Sequence, residues 1–315
     1  GAHTGMEARL VPARGYPMAW IRASALRGKG PLAALLLPLN LLIGFWQAAR
    51  AILRLRPDVV LGMGGYVAFP GGMMASLLAR PLAVHEQNAI AGLTNRMLAV
   101  VADKTMTAFP RALKGAEWTG NPVRADIAAL AEPAARYAQR SGPLKLLVVG
   151  GSLGAKALND CVPLALARME PRPAVVHQSG ERHLDALRAS YRAAGVEGEL
   201  VAFVDDMARR YAEADLVICR AGAITVAELS TGGVPSVLVP FPHAVDDHQT
   251  ANARFLADHD AAILLPQKEM TPEKLAATLR ALDRPRLLEM ARKARTLGKP
   301  DAARLVAQRC MELAR

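Results

Sequence analysis

The residues best placed to do chemistry lie in "CRAGAITVAEL", residues 219–229, where a short apolar segment turns at Gly222 and a helix is expected to start at about Ala223. The amides of a helix's first turn have no partner inside the helix and sit at the positive end of its dipole, so they suit a diphosphate. Glu228, in the second turn, is spaced to accept hydrogen bonds from two ribose hydroxyls. The same glutamate also fits a plainer role, complementing the dipole of its own helix. The segment "LLVVGGSLGAKALND", residues 146–160, has a similar layout of apolar run, glycine turn and helix, and again offers backbone N–H groups to a phosphate.

Three further segments carry polar groups at expected strand ends, where ligands lie in open α/β sheets. In "GMGGYVAFPGG", residues 62–72, the glycines allow close approach of a ligand to the backbone, although a structural turn explains them as readily. In "VHEQNAIAGLTN", residues 84–95, His85 could accept a proton, Glu86 could orient it and Asn88 could bond a sugar hydroxyl; local turn-making would satisfy the same groups. In "FPHAVDDHQTANA", residues 241–253, His243, Asp246, Asp247 and His248 suggest a metal. Such residues in a strand-to-helix loop more often cap and hydrogen-bond, and no soft ligands gather beside them, so no dedicated metal site is expected.

The elements that must position these groups form two series of short apolar strands alternating with helix-length segments, the pattern of parallel α/β sheets. The first series is expected near 18–21, 58–62, 81–85, 104–108 and 117–119, and the second near 145–149, 174–178, 200–204, 216–219, 236–239 and 261–265. Asn121-Pro122 blocks helix continuation, which places a domain boundary there, with domains at 1–124 and 125–300. Residues 301–315 read as an amphipathic helix that folds back onto the first domain. The 315 residues suffice for two cores. Three scattered cysteines fit neither a disulfide framework nor a zinc site and point to a reducing compartment.

The net charge of +11 is concentrated in front: residues 1–124 hold 14 Lys and Arg against 5 Asp and Glu, while 125–315 hold 25 against 23. Such asymmetry fits a nucleic acid or an anionic lipid surface, and an aromatic content of 4% argues against base stacking. Residues 31–46, "PLAALLLPLNLLIGFW", form an apolar run between Arg27 and Lys29 on one side and Arg50, Arg54 and Arg56 on the other. The run is short for a span and contains Pro38 and Asn40, so it is expected to lie in a membrane interface, with a buried core helix as the other reading.

In order along the chain, "SALRGKG", "RPDVVLGMGGYVAFPGG", "HEQNAIAGLTN", "GNPVR", "LVVGGSLGAKALN", "HQSG", "FVDDMA", "CRAGAITVAEL" and "HAVDDHQTANA" together resemble the MurG family of bacterial peptidoglycan N-acetylglucosaminyltransferases. The resemblance implies an α/β fold of GT-B type, with two Rossmann-like parallel-sheet domains facing a cleft. It implies transfer of N-acetylglucosamine, with inversion, from UDP-N-acetylglucosamine to the muramyl sugar of lipid I, giving lipid II, with no cofactor, no metal and no nucleic acid. By motif position the donor site would comprise Asn88, Arg124, Ser152, Val204, Ala223, Ile224, Thr225, Val226, Ala227, Glu228 and Gln249. Within it Glu228 would hold the ribose, the backbone near Val204 the uracil and Ser152 the phosphates, while helix N-termini and Arg124 would stabilise departing UDP.

The apolar run would then dock the first domain peripherally on the anionic cytoplasmic face of the inner membrane. The family pattern opens with a strand and a glycine loop ending in histidine, and the sequence begins downstream of both. The first domain is therefore expected to be incomplete at its N-terminus, and no residue is named as catalytic base. Two alternatives stay open: a UDP-N-acetylglucosamine epimerase on the same architecture, which has no need of an interfacial run, and a membrane-docking UDP-sugar-binding remnant without turnover. Neither glycine turn is written G-x-G-x-x-G, which disfavours a nicotinamide dehydrogenase.

Overall fold

The computed structural model describes residues 1, 2, 5, 7–22, 37–151 and 154–314; Ser152 and residues 23–36, with the front of the apolar run, lie outside the described residues. The chain divides into two compact units, Gly1–Thr119 with Ala303–Arg315, and Gly120–Ala302, so residues 120–124 group with the second unit.

In the first unit, β1 (Val60–Gly62), β2 (Leu82–Glu86), β3 (Lys104–Thr107) and β4 (Glu117–Trp118) form a parallel sheet in that order. Side chains alternate across a strand, and β2 shows the consequence. Leu82 and Val84 pack with Ile52, Ala75 and Leu98 on one face. Ala83 meets Met106 and Val306 on the other. Val306 belongs to the helix Ala302–Leu313, whose Arg309 grips Glu117 through Nε and Nη2 at 2.8–3.1 Å while Lys104 reaches the same carboxylate at 2.8 Å. Hydrogen bonds from Arg309 first, then from Lys104, hold Glu117 down at about 2.

The strand expected at 18–21 does not form. Its backbone bonds run to Gly1, whose N donates to the Ala19 carbonyl and whose carbonyl accepts from Ile21, and pairing with one residue makes no ladder.

The helix Leu37–Leu55 takes up the rear of the apolar run and continues past it. Pro38 does not interrupt it, because a proline in the first turn needs no N–H donor. Gly44, Ala48 and Ile52, four residues apart, form its buried stripe. A Cβ at Gly44 would lie 3.0 Å from the Arg22 carbonyl, so the helix approaches residues 21–22 closely there. Leu39, Leu42, Trp46 and Leu53 are all more than half exposed on another face, where the Arg50 guanidinium lies 5.6 Å from the Trp46 ring. Among the described residues no helix is long and apolar enough to cross a membrane.

The second unit carries six parallel strands: β5 (Lys145–Val149), β6 (Ala174–Gln178), β7 (Glu199–Val201), β8 (Leu216–Cys219), β9 (Ser236–Leu238) and β10 (Ala262–Leu264), in the spatial order β10-β9-β8-β5-β6-β7. The chain runs outward from β5 through β6 to β7, then returns to β8 and runs outward the other way, which is the doubly wound dinucleotide-binding order. β5 and β8 are apolar throughout their interiors because helices cover both faces of the sheet. Leu146, Val148, Leu216 and Ile218 enter the main core with Leu158, Leu187, Leu275 and Leu287.

The strand expected at 200–204 ends at Val201. Its partner β6 ends opposite, at Gln178, and Asp206 then caps the helix Met207–Glu213 by accepting from the Arg209 amide at 3.0 Å. Val204 is therefore a loop residue.

Candidate functional site

The winding of the second sheet reverses between β5 and β8, and in open α/β sheets ligands lie outside the carboxyl ends of the strands at such a point. The loop leaving β5 is shaped by glycine. Gly151 and Gly154 have φ of +85° and +75°, and a Cβ on Gly154 would collide with the Ser179 carbonyl oxygen. The Gly154 amide closes the turn onto the Gly151 carbonyl at 2.9 Å, and the helix Lys156–Leu166 follows with no side-chain cap.

The loop leaving β8 is shorter. Gly222, in extended conformation, opens the helix Ala223–Gly232, again with no side-chain cap, so its first-turn amides are not committed to one. The helix stops at Gly233, whose φ of +58° gives the left-handed terminus that glycine adopts without strain. Val226 and Leu229 are fully buried on this helix, and Glu228 is 8% exposed.

Two groups hold the Glu228 carboxylate. Arg124 Nη2 donates to Oε1 at 3.2 Å, and the Tyr211 hydroxyl donates to Oε2 at 3.2 Å. Burial pushes the Glu228 carboxyl above the ordinary range, against the pull of Arg124 and of the Tyr211 hydrogen bond. Tyr211 is completely buried, and burial first, then the Glu228 charge, keeps its hydroxyl protonated and donating. The arrangement leaves a carboxylate aimed by the buried Tyr211 hydroxyl, with the Arg124 side chain half exposed beside it. Cys219 is no nucleophile, since burial and the neighbouring Glu228 push its thiol up to about 12.

At the end of β9, Arg220 clamps the Val239 and Pro240 carbonyls at 3.1 and 3.2 Å, donates to Gln267 Oε1 at 2.6 Å and lies 5.5 Å from the Phe241 ring. The Phe241 amide then donates to Gln249 Oε1 at 2.9 Å and orients that carboxamide in the first turn of the helix His248–Ala257. The polar residues between serve the loop itself. Asp247 accepts from Thr250 at 2.7 Å, His248 Nδ1 bonds the Val245 carbonyl at 2.7 Å, and His243 meets Phe241 edge-on.

In the first unit the expected His85–Glu86 relay is not built. The two are successive residues of β2 and point to opposite faces of the sheet. Glu86 instead ties the following turn, accepting from the Asn88 and Gly92 amides and from Asn95 Nδ2 at 2.8–3.1 Å, while Gln87 bonds His85. Asn88 is half-buried in that turn.

The structure thus joins Arg124 directly to Glu228, and sets Ala223, Ile224, Thr225, Val226 and Ala227 ahead of it on one short helix. Val204 lies on the loop after β7 and Gln249 in the first turn of the helix His248–Ala257, and Asn88 belongs to the other unit. Sequence reasoning missed Tyr211, which aims Glu228 from behind, and Arg220, which holds the chain that leads to Phe241 and Gln249. For Tyr211 a signal existed, an aromatic hydroxyl on the buried side of the helix Met207–Glu213.

Two parallel-sheet α/β units, the second in doubly wound order, define the GT-B class of glycosyltransferase folds. Residues 1–107 match the glycosyltransferase family 28 N-terminal domain and residues 145–306 the family's C-terminal domain. The chain belongs to glycosyltransferase family 28, in its MurG branch. It is 67% identical to the UDP-N-acetylglucosamine--N-acetylmuramyl-(pentapeptide) pyrophosphoryl-undecaprenol N-acetylglucosamine transferase of Aromatoleum aromaticum, over 100% of this chain and 88% of that protein. The crystal structure of Acinetobacter baumannii MurG superposes with a TM-score of 0.88 at 42% identity, over 99% of this chain and 89% of that one. A UDP-GlcNAc 2-epimerase from Neisseria meningitidis shares the fold alone, with a TM-score of 0.66 at 11% identity over 99% and 90% of the two chains.

Proposed function

We propose that the protein transfers N-acetylglucosamine from UDP-N-acetylglucosamine to the muramyl sugar of undecaprenyl-linked lipid I, forming lipid II for peptidoglycan. The observation that carries this reading is the likeness, along the whole chain, to a transferase named for that reaction. The geometry of the second unit supports the following roles. The donor diphosphate lies against the uncapped amides of residues 223–225, where fixed dipoles meet the charge that grows on departing UDP. Glu228, aimed by Tyr211, accepts from both ribose hydroxyls, and Arg124 turns from the carboxylate toward the phosphates. Backbone groups near Val204 read the uracil, and Gln249 reads the sugar. Ser152 and Asn88 are assigned to the donor by motif position.

The exposed apolar face of Leu39, Leu42, Trp46 and Leu53, with Arg50 and Arg54 beside it, docks the first unit on the anionic cytoplasmic surface of the inner membrane, where the polyprenyl acceptor resides. Transfer of labelled sugar from UDP-N-acetylglucosamine to a lipid I analogue tests the reaction. Labelled lipid II is expected, and absence of label in lipid, with UDP binding intact, refutes transfer to this acceptor.

A further inference from the structure

The segment "HQSG", residues 177–180, has no role in the site as assigned so far, yet its first three residues are almost wholly buried. Gln178 is the last residue of β6, between β5 and β7, and is 2% exposed. Its carboxamide is fully engaged. Oε1 accepts from the Gly150 amide at 3.2 Å, and Nε2 donates to the Gly151 carbonyl at 3.0 Å and to the Ala202 carbonyl at 3.0 Å. One side chain thereby bonds two loops that are distant in sequence, the glycine loop after β5 and the loop after β7 that leads to Val204.

We propose that Gln178 is a positioning residue that locks the glycine loop after β5, the loop that carries Ser152 in sequence, and the uracil loop after β7 into one piece, so that a UDP-sugar meets both preformed. This rests on the donor-site reading above. The chemistry of the position is narrow. Three bonds to one amide and two carbonyls need one acceptor and two donors on a planar head, which a carboxamide supplies and a carboxylate, thioether or alkyl group does not.

The flanking residues hold the head in place. The Ser179 and Gly180 amides donate to the Val201 and Ala202 carbonyls, and Asn159 Nδ2 donates to the Ser179 carbonyl at 3.2 Å. Asn159 is itself held by His177 Nε2 at 3.1 Å, and His177 Nδ1 bonds the Tyr191 hydroxyl at 3.0 Å. Burial drives His177 down to about 3, so this support stays neutral and unchanged over the working range of pH. Local opening of either loop must break bonds of the same carboxamide, so a ligand on one loop protects the other.

The test compares the wild-type protein with Gln178→Leu, with Gln178→Glu, which keeps length and the acceptor but loses both donors, and with Cys161→Ala as a core substitution in the same unit. Steady-state transfer is expected to show the KM for UDP-N-acetylglucosamine raised about tenfold in both Gln178 variants, as loss of one or two net hydrogen bonds implies. The kcat and the acceptor KM are expected to stay within about twofold of wild type. A donor KM that rises no more than in Cys161→Ala at equal loss of thermal stability, or a kcat that falls in step with it, overturns the proposal.

Should neither variant fold, hydrogen exchange on the wild-type protein decides. Uridine, which has no phosphate, is expected to slow exchange of the Gly150 amide, and unchanged exchange there overturns the coupling. Glu228→Ala separates the two readings. If it weakens UDP binding while the Gln178 variants do not, the coupling alone falls; if it leaves UDP binding intact, the donor-site reading falls and the coupling with it.

Discussion

Replacing Glu228 with glutamine removes charge from the proposed ribose contact while keeping its shape and the partner of Tyr211. A hydrogen bond to a charged acceptor contributes about 1.5–3 kcal/mol and a neutral one about 0.5–1.5. Two ribose hydroxyls therefore lose about 2 kcal/mol between them in the variant. The free protein recovers little of that by giving up the Arg124 pair, because the Arg124 side chain is 49% exposed and such a contact is worth about 0–1 kcal/mol. The net, about 1–2 kcal/mol, predicts UDP binding weaker by about 5- to 30-fold, read by titration calorimetry.

Glu228→Ala goes further. It deletes both contacts and leaves the fully buried Tyr211 hydroxyl without its acceptor, so affinity and melting temperature fall together, the second by the equivalent of about 1–3 kcal/mol. Calorimetry with 2′-deoxy-UDP closes the argument, since its affinity relative to UDP must drop in the wild type and much less in the glutamine variant. Equal binding of UDP and 2′-deoxy-UDP by the wild type, or unchanged UDP affinity in Glu228→Gln, refutes the carboxylate's role. Acid gives an independent reading. The carboxyl is raised above its ordinary value, so UDP affinity is expected to decline as pH falls through that raised value, earlier than an exposed glutamate would allow.

Gly154→Ala is expected to melt at a markedly lower temperature and to lose UDP binding, because the left-handed φ costs about 1–2 kcal/mol for an alanine and the Ser179 carbonyl blocks the new methyl as well. In the first unit, Glu117 ionises at about 2 in the folded protein against an ordinary 4.5, so its contribution is present above about pH 4.5 and is lost as pH falls toward 2. Arg309→Ala should flatten that dependence in acid titrations followed by circular dichroism; an unchanged curve would mean the ion pairs do not hold the helix Ala302–Leu313. The double substitution Leu42→Ser with Trp46→Ser is expected to weaken partition onto anionic vesicles by at least about tenfold while leaving UDP binding as it was, given about 25 cal/mol for each Å² of apolar surface kept from water. Sedimentation with vesicles checks it.

The strands of the second unit were legible almost to the residue, because buried parallel strands such as β5 and β8 are unbroken apolar runs between turn residues. The opening of the helix at Ala223 was legible for a local reason too, a glycine followed by residues that fit a first turn. Failures fell where a neighbour outside the window decides. Residues 18–21 have strand-like composition but no strand to pair with among the described residues. β7 stops at Val201 because its partner stops. His85 and Glu86 looked like a relay by adjacency, which in a strand separates side chains instead of joining them. Tyr211 and Gln178 reach their partners only once the sheet brings distant loops together, and local spacing carries no trace of that.

The uncapped start of the helix Ala223–Gly232 bears on how the protein can be altered. Binding through main-chain amides is invisible to alanine scanning, since every substitution except one leaves the N–H in place. Ala223→Pro is that exception: the first helical position tolerates the ring, so the helix persists while one of the donors proposed to meet the diphosphate disappears. On the proposed donor site, side chains there, such as the half-exposed Ile224, can be changed without removing a contact to the nucleotide. Redesign toward another sugar donor has most to gain at Gln249, the side chain proposed to read the sugar, whereas a backbone contact near Val204 would survive substitution.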